Sequence, residues 1–400
     1  MESNKIKPLD AFNMLFRTLT FTAYFMAVPE IENPIKKKWH KYYRIATVLI
    51  LLIYDLQHII FVILVFGDVE RMIEGLSVLL TILNVTYKLI TVNLNEERFQ
   101  RLHDALEDDI FSAKCLKDEE LMTNNKKQLD GVSRTINRTV TVIAVCWLLT
   151  PFLKKLADEE VILPAYFPFQ TNDWVSFSCA SVWITFVIIW VGYGHMTLNI
   201  LIVGYYSQVK VQLSIVRYHL EHLADDDDEH SSNISTRRYQ SFKDYQSDLY
   251  QKKLVELIQR YDKAVWFSKE MESITSKAML VQFSGSTGIV CTVVYKMTGL
   301  PLNTAFIYIA LYLACLLLEL FVYCYYGTLL ENESNFVNES VYLCDWTSLS
   351  PKFRKQLMIA MIRWSRPITP MAAGLVPLSL NTFIAVLRGS YTMYTILKKS

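Results

Sequence analysis

Apolar residues along this chain gather into long, nearly uninterrupted runs, and the polar residues collect between them. Six runs stand out: Ile45 to Phe66, Met72 to Val92, Thr139 to Leu153 (extended back to Arg134), Val175 to Tyr206, Ala278 to Met297 and Thr304 to Tyr326. A seventh, Met371 to Leu397, holds a single charge, Arg388, and is expected to form one continuous helix. At about 1.5 Å per residue, about twenty residues cross a hydrocarbon core of roughly 30 Å. The pattern therefore predicts an all-α, polytopic membrane protein with seven transmembrane helices. The fourth run exceeds what a bilayer needs, so its end is expected to project as helix. Ahead of the first run lies an aromatic stretch, Phe12 to Val28. Arg17 interrupts it and no small-residue cleavage site follows, so an interfacial amphipathic helix is expected there.

The charges between the runs set the orientation, because Lys and Arg are retained on the cytoplasmic side during insertion. The N-terminal segment and the segments 93–134, 207–277 and 328–369 are basic, whereas the alternate connections are short or acidic. The N-terminus is then cytoplasmic and the C-terminus extracellular. This divides the chain into a cytoplasmic N-terminal segment with its interfacial helix (1–44), transmembrane helices one to four (45–206), and a cytoplasmic acidic loop with a helical extension (207–277). Transmembrane helices five and six (278–326), cytoplasmic anchor helices (327–369) and the terminal helix (370–400) follow. Asp225 to Glu229 is a solvated charge block, since it lacks the spaced ligands and glycine of a calcium loop. From Tyr250 onward, Leu254, Leu257, Ile258, Tyr261 and Val265 recur at helical spacing, so the fifth helix is expected to begin in the cytosol and to bundle with a short helix over 353–364.

Composition narrows the function. A net charge of +1 gives no basic face for nucleic acid. Five of the seven cysteines, Cys146, Cys179, Cys291, Cys315 and Cys324, lie in apolar runs, and no pair has zinc-site spacing, so neither a disulfide framework nor a metal is expected. No Gly-rich phosphate loop, HExxH or GxSxG motif is present, and nothing argues for an enzyme or a cofactor.

The candidate chemistry lies inside the spans. Asp55, His58, Lys88, His195, Lys296, Glu319 and Arg388 sit in or at the edge of apolar helices, where an ionisable group is costly and points to function. Lys88 and Lys296 are near helix ends, from which a long stem can snorkel to the interface. Asp55 and His58 share a face and suit a polar contact within or between helices. On the terminal helix, Asn381, Ala385, Arg388, Thr392 and Thr395 share one face, while Val376, Phe383, Leu387, Tyr394 and Leu397 share another.

Several segments carry a resemblance. Tyr342 to Trp346, the Lys355-to-Arg366 helix ending in Arg-Pro, the Pro377-to-Phe383 run and Ser390-Tyr391 resemble the C-terminal signature of insect odorant receptors. Leu254 to Phe283 is also similar, with Arg260-Tyr261 where that family commonly has His. The resemblance implies a subunit of a ligand-gated, non-selective cation channel. It would be the odorant-tuned partner of a co-receptor in a heterotetramer, a multi-pass protein of the plasma membrane in olfactory neuron dendrites. Permeant cations would cross a pore lined by the terminal helix (Phe383, Leu387, Ser390) and gated by Tyr394, Leu397 and Lys398. A small, volatile, hydrophobic odorant would bind in the outer half, among the second, third, fourth and sixth spans. Its walls would be Leu80, Asn84, Tyr87, Cys146, Trp147, Thr150, Phe177, Trp183, Phe186, Tyr308 and Tyr312. Four copies of Lys398 and Lys399 at a cation pore mouth would repel cations, which a partner subunit would dilute. A G-protein-coupled receptor fits poorly, since the charge map is inverted and Asp-Arg-Tyr and Asn-Pro-x-x-Tyr are missing. A gustatory receptor of the same fold would show Thr-Tyr and Gln-Phe terminal patterns, which are not evident. A transporter would show paired, broken halves.

Overall fold

The computed structural model describes residues 7–24, 34–157, 161, 163–223, 236–298, 304–347 and 349–399. Among these residues the fold is mostly helical, with short 3-10 turns, connecting loops and one two-stranded hairpin. The helices are α1 (Asn13–Phe21), α2 (Pro34–Leu64), α3 (Val69–Leu94), α4 (Glu96–Glu107), α5 (Leu116–Leu156), α6 (Trp174–Glu221), α7 (Thr236–Thr298), α8 (Thr304–Ser340), α9 (Pro351–Trp364) and α10 (Leu380–Lys399). Six of them, α2, α3, α5, α6, α7 and α8, are long and apolar enough to cross a membrane. Their starts follow elementary capping chemistry: Asp68 accepts from the Arg71 amide, Asp173 from that of Ser176, and Ser350 from that of Phe353 with Pro351 in the first turn.

The longest apolar run becomes the central post. α6 packs on α1, α5, α7 and α8, and between Leu198 and Val216 every residue but Lys210 is buried. A helix apolar on all sides must be covered on all sides. Its 48 residues extend about 72 Å, so it projects well past a bilayer, as its length foretold. α7 likewise continues from the spanning region toward α9. Leu254, Leu257, Tyr261 and Val265 are buried there, with Tyr261 against Trp364 and Tyr250 against Phe353.

Two expectations change. The aromatic N-terminal stretch does not offer its apolar face outward. Phe12, Leu15, Phe16 and Leu19 are buried in the bundle, with Phe12 5.1 Å from the Tyr205 ring and Phe16 5.0 Å from His103. Gly204 of α6 makes the approach possible, since a Cβ there would stand 2.7 Å from the Phe12 ring. Residues 25–28 of that stretch lie outside the described residues.

The second change concerns the terminal run. Met371–Ala372 and Val376–Pro377 pair as an antiparallel hairpin, and α10 begins only at Leu380. Ala373 (φ 53°) and Gly374 (φ 66°) turn the chain through the left-handed region, and Pro377 has no amide to continue a helix. Ser379 then caps α10 through the Thr382 amide. The hairpin's exit lies so close to α8 that a Cβ on Gly327 would stand 2.0 Å from the Leu378 carbonyl. The remaining 20 residues of α10 reach about 30 Å, just a bilayer core.

Near the α1–α6 contact, His103 of α4 is 2% exposed and its Nε2 is 2.6 Å from the Tyr205 hydroxyl. Burial pushes the imidazole down from 6.5 to about 4. Folded protein therefore resists a proton that the unfolded chain accepts below 6.5, so this stability is complete above that pH. It falls by about 3 kcal/mol as the pH drops toward 4. Thermal unfolding in detergent should show the acid loss, and His103→Phe, which cannot titrate, should shrink it.

Candidate ligand-binding site

Between α3, α5, α6, α7 and α8 lies a cavity of about 230 Å³, bounded also by Tyr54 of α2 and by Pro164 from the α5–α6 connection. Its wall is mainly aliphatic, with Ile82, Val140, Ile188, Ile289 and Leu316 among its residues. Two interhelical hydroxyl pairs stitch it: Ser77 to Thr292 (3.0 Å) and Thr81 to Tyr312 (2.9 Å). Pairing hydroxyls with each other leaves an apolar surface that binds by dispersion and shape.

One end of the cavity is polar. Glu319 of α8 accepts from His195 Nε2 at 2.8 Å and from the side-chain amides of Asn199 and Gln282, each at 2.5 Å. Lys88 of α3 donates to Asn199 Oδ1 at 2.7 Å and to Gln282, and stands 4.0 Å from Glu319. The Tyr323 hydroxyl donates to the same Asn199 oxygen at 2.9 Å. Lys88 thus does not snorkel: it is 1% exposed and turned inward to neutralise Glu319. An unpaired charge at this depth would be prohibitive, and a fully bonded pair is tolerated. Asp55 and His58 are buried in α2 but do not line the cavity, and His58 Nδ1 is bound to the Tyr54 carbonyl.

Of the residues expected in the pocket, the structure brings together Asn84, Trp147 and Tyr312. Leu80 packs on the cluster of Ile289, Val293, Ile309 and Leu316 without lining the cavity. Tyr87 and Phe186 face outward, 39% and 52% exposed. Cys146 and Thr150 lie on a half-buried flank, joined by a hydroxyl-to-carbonyl bond. Phe177 is buried against Phe152 and Trp174, and Trp183 donates to Gln57. The Tyr308 side chain lies outside the described residues. α7 joins the wall through Ser286, Ile289, Thr292, Val293 and Lys296, a helix that sequence reasoning left out. One signal was present: Ser77, Thr81, Asn84 and Lys88 form a polar stripe at helical spacing in an otherwise apolar span.

In the single chain the residues expected to line the pore lie on the packed side of the terminal helix. Phe383 packs on Phe321 of α8 with rings 5.6 Å apart, Leu387 is half-buried and Ser390 is buried, its hydroxyl bound to the Val386 carbonyl. The face left open in a single chain carries Asn381, Ile384, Ala385, Arg388, Tyr391 and Thr392. The bulky apolar positions are consumed by packing on α7 and α8, which leaves the mixed polar face outward. The side chains of Tyr394, Leu397 and Lys398 lie outside the described residues.

A second cluster lies between the start of α5 and the end of α6. Possible ligand atoms of Cys115, Asp118 and His219 fall within 4.8 Å of one another. Asp118 is already bound by His219 Nε2 (3.0 Å) and the Lys114 amide (2.9 Å), with Arg260 at 4.0 Å. The guanidinium supplies the positive charge a divalent ion would bring, and the cluster reads as an ion-pair network. Arg260 also donates to the Ile110 and Ser112 carbonyls, tying the α4–α5 connection to α7.

A polytopic helical bundle here encloses a mostly apolar cavity with a buried polar end, the form of a small-molecule site. The model of the 7tm Odorant receptor family matches residues 68–391, and the chain belongs to that family. It is 27% identical over 164 residues to Odorant receptor 2a of Drosophila melanogaster, which covers 40% of this chain and 41% of that protein. It is 22% identical over 330 residues to the putative odorant receptor 92a of the same fly, covering 78% and 75%. The chain thus matches about two fifths of the length of the first of these. In fold it superposes on the olfactory receptor OR5 of Machilis hrabei with a TM-score of 0.81 at 15% identity, over 96% of this chain and 97% of that one. The same receptor in complex with eugenol gives 0.80.

Proposed function

We propose that this chain is the odorant-tuned subunit of a ligand-gated, non-selective cation channel, assembled with a co-receptor into a heterotetramer in the plasma membrane of olfactory neurons. The supporting observation is the reach of one helix. α8 supplies Tyr312, Leu316 and Glu319 to the cavity and, a few turns on, seats α10 through Phe321, Gly327 and Thr328. Thr328 holds the Leu380 amide at 3.0 Å. A ligand that shifts α8 by a fraction of a turn therefore moves the start of α10, which is how a packed, bistable contact converts binding into opening.

On this reading the pore face of α10 is the open one, Asn381, Ile384, Ala385, Arg388, Tyr391 and Thr392, with Tyr394 to Lys398 beyond it as the gate. A ring of four arginines suits an anion pore and opposes cations, so Arg388 argues for dilution by a partner subunit. Arg388→Gln should raise cation current per channel at unchanged surface abundance. Ile384→Cys should become blockable by a charged thiol reagent applied during opening, while Phe383→Cys should resist it. Block of Phe383→Cys with Ile384→Cys untouched would reverse the assigned face.

A further inference from the structure

Three residues that line the cavity each hold a buried polar atom with no hydrogen-bond partner among the described residues: the Tyr54 hydroxyl, Asn84 Oδ1 and His195 Nδ1. These residues are 1%, 9% and 6% exposed. Buried polar groups are almost always satisfied, and inside a membrane there is no bulk water to satisfy them, so such a set points to a ligand.

Their positions are linked. Asn84 lies one helical turn before Lys88, and His195 lies one turn before Asn199. Lys88 Nζ is bonded to Asn199 Oδ1. Successive spans alternate in direction, so α3 and α6 run parallel, and Asn84 and His195 stand at the same level above that bond. Asn84 Oδ1 can only accept. His195 presents Nε2 to the Glu319 carboxylate, which favours the proton on that nitrogen and leaves Nδ1 as an acceptor. Tyr54 can donate or accept.

We infer that the cavity selects a small neutral alcohol or phenol, whose hydroxyl donates to Asn84 Oδ1 or His195 Nδ1 once that side chain turns toward the cavity, while its hydrocarbon body fills the aliphatic wall. This rests on the reading of the cavity as the odorant site. An ether, ester or ketone can accept from Tyr54 but leaves both acceptors unpaired. An ammonium ion would need a free carboxylate, and Glu319 already has Lys88. Sites built to bond a hydroxyl reject analogues that lack it more strongly than apolar pockets reject a change of size.

The test is a matched series on cells expressing the chain with an insect co-receptor: phenols and medium-chain alcohols, their methyl ethers, and hydrocarbons of the same outline. Half-maximal concentrations for the hydroxyl compounds should be lower by about tenfold or more than for their ethers, and Asn84→Leu should collapse that ratio. Surface abundance is measured alongside. Ala144→Trp, which fills the cavity from α5, should abolish responses to every member of the series. Equal potency of alcohols and ethers, with Ala144→Trp still silencing both, would overturn the hydroxyl inference and leave the cavity as the odorant site. Full responses in Ala144→Trp would overturn the cavity reading, and this inference with it.

Discussion

Lys88→Met is expected to destabilise the bundle by about 3–5 kcal/mol, because it removes one half of a buried pair and strands the other. Glu319, 9% exposed, would keep its bonds from His195, Asn199 and Gln282 but lose the balancing charge. Asn199 and Gln282 would lose the ammonium that their oxygens accept from. Glu319→Gln should be costly for the mirror-image reason. The double variant is expected to recover most of the loss, since no uncompensated charge remains, and the coupling between the two sites should far exceed the ~0.5 kcal/mol typical of independent ones. Thermal unfolding in detergent and surface abundance report it. Simple addition of the two losses would show that the pair is not the unit described.

In the proposed heterotetramer, Ile362→Asp is expected to release this subunit from the assembly while leaving it folded. α9 is two-faced: Phe353, Leu357, Ala360 and Trp364 are buried on its inner side, while Met358, Ile359 and Ile362 are 65%, 62% and 71% exposed. Tyr342 and Leu343, in the turn that follows α8, are similarly open. A helical face this apolar, outside the six candidate spans, is suited to a neighbouring subunit, and each such side chain contributes about 1.5–3 kcal/mol when fully covered. Burying a carboxylate there instead, at each interface this chain makes, should shift the mass of this purified subunit from the assembly to a single chain. The cost to the fold should stay within about 0.5 kcal/mol because the position is exposed. An unchanged mass would remove α9 from the interface.

Much of the fold was legible because bilayer length is a coarse ruler. The run predicted from Val175 begins in the structure at Trp174, where Asp173 is a readable cap. The terminal run misled because its composition is evenly apolar. Gly374 and Pro377 were the available punctuation, and they mark the hairpin that shortens α10. Lys88 was misplaced for another reason: α3 continues to Leu94, and the lysine's partners Asn199, Gln282 and Glu319 lie more than 100 residues away, where no local pattern reaches them.

The site was legible only in part. On α3 the stripe from Ser77 to Lys88 contrasts with its surroundings and names the inward face. On α8 Glu319, three residues from Leu316 and seven from Tyr312, is the local mark of the inward face, and apart from it the span is apolar all round, so the 61% exposed Ile307 reads like its inward neighbours. On α6 the large aromatic Phe186 faces outward while the smaller Ile188 and Gly192 line the cavity. α7 was overlooked because its cavity face consists of Ser, Thr and aliphatic residues with no aromatic signal.

Whole-cell recording during brief odorant pulses, with the chain expressed alone and together with an insect co-receptor, tests the proposed channel most directly. The expected result is an inward cation current that rises within milliseconds, needs the co-receptor and persists when G-protein signalling is blocked. A response that vanishes with that block, or no current from protein shown to be at the cell surface across a panel that includes alcohols and phenols, would contradict it.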